Sequence, residues 1–229
     1  MKWIDVLVII GTVVAAPVAP LLFDSHQAVI PATVITIGIA MLVLRWWLHH
    51  PEFNLLLVEK VLTVSNATGR KATLIRNLHG KVTLKGLTEF WCRNIAADGT
   101  IVNIMINDEP PQKTIHETGD IHVGKRFPRR LRGGEKFSLQ LSYELVDSFI
   151  NRTGALIHVV ESKTEKLRMI VMLPRERPAK SARASLRSDG QSPKKLPDPL
   201  LSGLNAGERV EIEIENPKSG AEYCLEWSW

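Results

Sequence analysis

The feature that most constrains this chain is an alternation of apolar and polar residues with a period of two, repeated through most of its length after Pro51. Phe137, Leu139, Leu141, Tyr143 and Leu145 are separated by Ser138, Gln140, Ser142 and Glu144. Val210, Ile212 and Ile214 alternate with Glu211 and Glu213, and Tyr223, Leu225, Trp227 and Trp229 with Cys224, Glu226 and Ser228. Successive side chains of an extended strand point to opposite faces, so this pattern predicts strands with one face on a core and one in water. More continuous apolar runs, Leu156 to Val160 and Met169 to Leu173, suit central strands, and 55–64, 72–78, 82–87, 90–95 and 101–106 are further candidates. Asp98-Gly99 lies between the last two and predicts that they pair as a hairpin. About nine or ten strands with no amphipathic helix among them predict an all-β domain over 51–229. The expected form is an antiparallel β-sandwich, with a β-barrel as the alternative. The irregular strand spacing favours the sandwich. The last strand runs to Trp229, which predicts a C-terminal strand held in the sheet.

Ahead of this domain stand two runs without a charged residue, Val6 to Phe23 and Gln27 to Leu44, parted by Asp24, Ser25 and His26. Each is about the length that crosses a ~30 Å hydrocarbon core as a helix. They predict a transmembrane helical hairpin over 1–50, with spans at about 4–23 and 27–48. Lys2 precedes the first run, Arg45 and Lys60 follow the second, and the short connection has no cation. The positive-inside rule then puts both termini in the cytoplasm: a multi-pass protein of the bacterial inner membrane with a cytoplasmic β domain. Trp3, Trp46 and Trp47 sit where interfacial aromatic anchors belong. A secretory signal cleaved near Val14-Ala15-Ala16 is disfavoured by Asp5, Pro17 and Pro20 and by the second run directly behind it. Gly11, Ala15, Ala16, Gly38 and Ala40 allow close helix approach, within one chain or between copies, and a homo-oligomer is expected. With no charge inside either run, an ion transporter is disfavoured.

The segment from Arg175 to Gly207 is rich in Pro, Ser, Lys and Arg and predicts a long basic disordered loop between two strands. Cys92 and Cys224, the two cysteines, each sit in a strand-like run and are expected as reduced thiols. The phosphate-loop, nucleophile-elbow and His-Glu-x-x-His patterns are missing, so the chain is read as no enzyme, with no catalytic residue and no cofactor. Its histidines are scattered; His116 and His122 lack a third ligand, and no metal site is expected.

The strongest binding signal is Lys125-Arg126-Phe127-Pro128-Arg129-Arg130-Leu131-Arg132, five cations in eight residues. Such a cluster repels itself unless an anion or a negative surface answers it. Arg126, Arg129, Arg130 and Arg132 are the candidate ligand-binding residues, with Arg70, Lys71 and Arg76 as a second basic group facing the same site. A phosphate-bearing ligand or lipid headgroups fit. Nucleic acid is not expected, because Phe127 is the lone aromatic in the cluster.

In layout, two N-terminal membrane helices followed by one compact β-rich cytosolic domain, the chain resembles the two-transmembrane β-strand-rich effectors of bacterial cyclic-oligonucleotide antiphage signalling. The resemblance lies in layout and transfers no binding residue. It implies a β domain that binds a cyclic nucleotide, a homo-oligomer, and helices that disrupt the inner membrane in antiviral defence. The alternative reading is a non-enzymatic inner-membrane adaptor or scaffold, presenting a protein-binding β-sandwich whose exposed edge takes a partner strand.

Overall fold

The computed structural model describes residues 38–46, 48, 51–117, 119–188, 191–203 and 207–229. The chain divides into two units, 1–50 and 51–229. The expected two-helix transmembrane hairpin, and the multi-pass inner-membrane placement built on it, must be corrected. Among the described residues no helix is long and apolar enough to cross a membrane. Helix is described over 38–46 and at residue 48, inside the expected second span. At 1.5 Å per residue the described residues 38–46 rise ~14 Å, about half of a hydrocarbon core. The expected first span lies outside the described residues.

Fourteen strands are described in the second unit: β1 (Phe53–Val64), β2 (Lys71–Val82), β3 (Leu87–Ile95), β4 (Thr100–Ile106), β5 (Lys113–Glu117), β6 (Asp120–Leu131), β7 (Lys136–Val146), β8 (Thr153–Val159), β9 (Thr164–Met172), β10 (Ser181–Arg187), β11 (Lys194–Lys195), β12 (Leu200–Ser202), β13 (Arg209–Glu215) and β14 (Glu222–Ser228). They form a seven-stranded sheet in the order β12-β13-β9-β1-β2-β7-β4, a four-stranded sheet β11-β10-β14-β8 and a three-stranded sheet β3-β6-β5. The domain is β throughout, but the expected antiparallel sandwich, like the alternative barrel, is corrected. There are three sheets, and β1 and β9 run parallel at the centre of the largest. Alternation reports which face a residue takes and is silent on which strand lies beside it.

Two further expectations change for the same reason. The strands on either side of Asp98-Gly99 do not pair: β3 pairs with β6, and β4 with β7. A Cβ at Gly99 would lie 2.1 Å from the Val146 carbonyl oxygen, so this turn is pressed against the end of β7 and carries the chain from one sheet to another. The segment from Arg175 to Gly207, expected as a disordered loop, holds β10, β11 and β12. Its first arginines face local partners: Arg177 donates to the Asn151 carbonyl at 2.8 Å and stacks 3.8 Å over the Trp229 ring.

One buried cluster gathers side chains from all three sheets, including Val58 and Leu62 of β1, Leu78 of β2, Leu141 of β7, Val123 of β6 and Leu225 of β14. Fully burying such a side chain contributes about 1.5–3 kcal/mol. Phe53, Phe90, Phe127 and Phe137 interlock around Phe137 at centroid distances of 5.0 to 5.8 Å, joining β1, β3, β6 and β7. At the other end Trp229 donates its indole N–H to the Asn151 carbonyl at 2.7 Å. The water-facing side of the large sheet is laced by charge: Arg168 bridges Glu211 and Glu59, and Glu59 accepts from Asn77 at 3.0 Å.

Candidate functional site

The core-facing sides of β1 and β2 should be apolar, and each is broken once near its middle. β1 presents Val58, Lys60, Leu62 and Val64, and β2 presents Ala72, Leu74, Arg76 and Leu78. The register sets Lys60 directly opposite Arg76. Like charges facing each other across a strand pair are destabilising, and burial raises the cost. Tyr143, on the same face of β7, flanks them; burial pushes its hydroxyl up to about 12.

The edge strand of the four-stranded sheet, β8, shares this space. Lys60 Nζ donates to the Ile157 carbonyl at 2.6 Å, a link from one sheet to the other. His158, next in the chain, is 4% exposed. Burial first, then the charges of Arg76 and Lys60, hold its imidazole well below the ordinary range, so it is neutral at pH 7. Loss of solvent, reinforced by the Arg76 guanidinium, pulls the Lys60 ammonium down to about 7. The Cys92 thiol beneath is pushed up to about 11, burial outweighing the opposite pull of Arg76. It is therefore a packed thiol and no nucleophile.

Between these elements lies a cleft of about 430 Å³ lined by Lys60, Arg76, Tyr143 and His158. Arg93, Asp98, Asp120, Glu161 and Glu222 also line it; Glu161 is engaged by Asn94 Nδ2 at 2.7 Å and Glu222 by Arg187 at 3.3 Å. Arg76 Nε is buried and has no hydrogen-bond partner. An unanswered buried donor costs roughly 1–3 kcal/mol, and more where charge is involved. A second cavity of about 680 Å³ continues along β8 past Thr153, Gly154 and Ala155. The buried Trp227 Nε1 and Ser148 Oγ, from residues that line it, likewise have no partner. Among the described residues no group of three or more His, Cys, Asp or Glu could hold a metal ion.

The residues that the sequence singled out are scattered by the fold. Arg126, Arg129 and Arg130 lie on β6, where neighbouring side chains point to opposite faces, and Arg132 follows its end. Arg129 pairs with Glu135 at 2.9 Å, Arg130 bonds the Lys85 carbonyl, and the Arg132 backbone N–H donates to Glu135 at 3.0 Å. The Arg126 backbone N–H donates to Gln112 Oε1 at 2.8 Å, leaving its side chain exposed. Arg70 and Lys71 are exposed where β2 begins. Of the seven, Arg76 is the one that lines the cleft. Lys60, Tyr143 and His158 were missed. For Lys60 the signal was available: it occupies a core position in a strand whose alternation is otherwise apolar.

No protein family and no curated protein matches the chain. Among solved structures it is similar to the M1 zinc metallopeptidase of Deinococcus radiodurans, with 14% identity over 76% of this chain and 42% of that one and a TM-score of 0.42. A Legionella pneumophila protein provisionally described as nutrient-binding shares 13% identity over 76% of this chain and 67% of its own, with a TM-score of 0.46. Yeast LTA4 hydrolase in complex with bestatin shares 9% identity over 76% of this chain and 28% of its own, with a TM-score of 0.42. The chain thus spans less than half the length of the first of these. At TM-scores below 0.5 none of these likenesses speaks to the chemistry of this chain, and none bears on the resemblance to cyclic-oligonucleotide effectors.

Proposed function

We propose that the β domain is a non-catalytic recognition module that binds an anionic group in the cleft between β1, β2 and β8. The observation that carries this reading is the pairing of Lys60 with Arg76 on a core face, with Arg76 Nε left unanswered. A carboxylate or phosphate oxygen placed between them supplies the missing acceptor and offsets their mutual repulsion. The neighbouring groups do not suit acid–base work: His158 is held neutral, and the Tyr143 and Cys92 protons are held on. The cleft volume falls within the range typical of small-ligand sites.

Titration calorimetry of the full chain with pyrophosphate and with citrate tests the reading and separates phosphate from carboxylate recognition. Saturable binding is expected with at least one of them, weakened ~10-fold or more in Arg76→Gln, since a charge-assisted hydrogen bond contributes about 1.5–3 kcal/mol. Binding of citrate, which is already fully ionised there, should also weaken as pH rises above the Lys60 value of about 7, where the ammonium loses its proton. Equal affinity of Arg76→Gln and the parent chain would remove the cleft as the site.

A further inference from the structure

The cleft runs along a strand whose free edge is open. β8 is the last strand of its sheet, and β14 is its one paired neighbour among the described residues. The direction of its backbone groups follows from the bonds at its two ends. Val160 donates to the Ala221 carbonyl at 3.0 Å and accepts from Gly220 at 2.8 Å, and the Arg152 carbonyl accepts from Trp229 at 3.2 Å. Even-numbered residues therefore turn their N–H and C=O toward β14, and Ala155, Ile157 and Val159 turn theirs away from it. The Ile157 carbonyl confirms this direction, since Lys60 of the other sheet takes it. The two cavities lie along this same edge, sharing Asp98, Ser148, Phe149 and Ala155 in their walls. The Ile157 side chain is 46% exposed beside them, an apolar surface for a neighbouring residue.

We infer that the ligand is an extended peptide bearing a carboxylate, which adds to β8 as a fifth strand of that sheet and places its acid between Lys60 and Arg76. This rests on the reading of the cleft as an anion site. Backbone pairing supplies affinity without regard to sequence, and side-chain contacts supply selectivity. Binding exchanges one bond for two. A peptide N–H takes the Ile157 carbonyl, and the released Lys60 ammonium turns to the carboxylate that Arg76 Nε also lacks. Asp98, Asp120, Glu161 and Glu222 in the same cleft repel further negative charge, so the preferred segment carries a single acid flanked by small or β-branched residues rather than an acidic run. Until then, a lysine laid over an open edge protects it against pairing with other chains.

The test is fluorescence anisotropy on the full chain with a labelled, end-blocked hexapeptide of valine and threonine carrying one central glutamate. Saturable binding is expected, weaker by ~10-fold or more when the glutamate is replaced by glutamine. Methylation of alternate backbone nitrogens in the peptide should abolish binding in one of the two possible phases and leave it unchanged in the other, because one row of amides faces β8 and the other faces away. Val159→Pro removes one edge-directed N–H without touching the bonds to β14 or the Ile157 carbonyl that Lys60 holds, and should weaken the peptide more than it weakens pyrophosphate or citrate. Peptide binding indifferent to both methylation phases would overturn strand addition, as would no peptide binding alongside retained small-anion binding. Loss of every anion, small or peptidic, would instead sink the cleft as an anion site.

Discussion

Lys60→Met should change how the stability of this protein responds to pH. In the folded chain the ammonium sits near pKa 7, lowered from 10.5 by desolvation and by Arg76. The unfolded chain regains the higher value. Between these two pH values the unfolded state therefore binds more protons than the folded state, and stability rises as pH rises. Below about pH 7 both states carry the proton, and the cost of enclosing the charge is felt in full. Each pH unit within the window adds at most ~1.4 kcal/mol. Lys60 as a residue is only partly buried, so solvent screening reduces that figure, and about half is the reasonable working value. From pH 7 to pH 9 the parent chain should then gain roughly 1.4 kcal/mol, and no more than ~2.7 kcal/mol, relative to Lys60→Met. With a urea slope of about 2 kcal/mol/M, the gap between the two unfolding midpoints should change by roughly 0.7–1.4 M. The other titratable groups around Lys60, namely Arg76, Arg93, Asp98, Asp120, Glu161, Glu222 and the neutral His158, are common to both proteins, so their direct contributions largely cancel in the difference. A gap that stays constant from pH 6.5 to pH 9.5 would refute the placement of this ammonium inside the cleft.

Other perturbations should behave as follows. Trp229→Ala removes the indole bond to Asn151 and the platform under Arg177, and should destabilise the chain by about 3–5 kcal/mol in urea unfolding. Gly80→Ala puts a Cβ 2.3 Å from the Phe137 ring and should cost roughly 1–3 kcal/mol by the same measurement, as it disturbs the four-phenylalanine cluster. The triple change Arg129→Ala, Arg130→Ala, Arg132→Ala should leave small-anion affinity within about twofold, because Arg129 and Arg130 are engaged by Glu135 and the Lys85 carbonyl and none of the three lines the cleft. A loss of affinity in calorimetry would move the site back to the basic stretch around β6.

Several elements of the fold were legible in the sequence. Alternation at Phe137 to Leu145, at Val210 to Ile214 and at Tyr223 to Trp229 corresponds to β7, β13 and β14, with the apolar members turned inward. The same rule places Lys60 and Arg76 on core faces, and taken literally it would have pointed to the cleft. The basic run after Lys125 drew attention instead, because charge density along a chain is conspicuous while a single misplaced charge is not. Strand alternation splits such a run between two faces, and nearby acceptors from Glu135 and Lys85 hold several of its members.

What the residues determine by themselves is local: extended backbone after Pro51, the inward or outward face of each side chain, and the two cations that interrupt the inward series on β1 and β2. Partnership is not local. That β1 lies parallel to β9, that β3 leaves β4 for β6, and that the open edge of β8 comes to rest beside Lys60 all depend on pairing between residues far apart in sequence. A strand's pattern is satisfied equally well by many neighbours. Only the joint burial of three sheets in one core selects among them, and the cleft exists where that packing leaves two charges between one sheet and the edge of another.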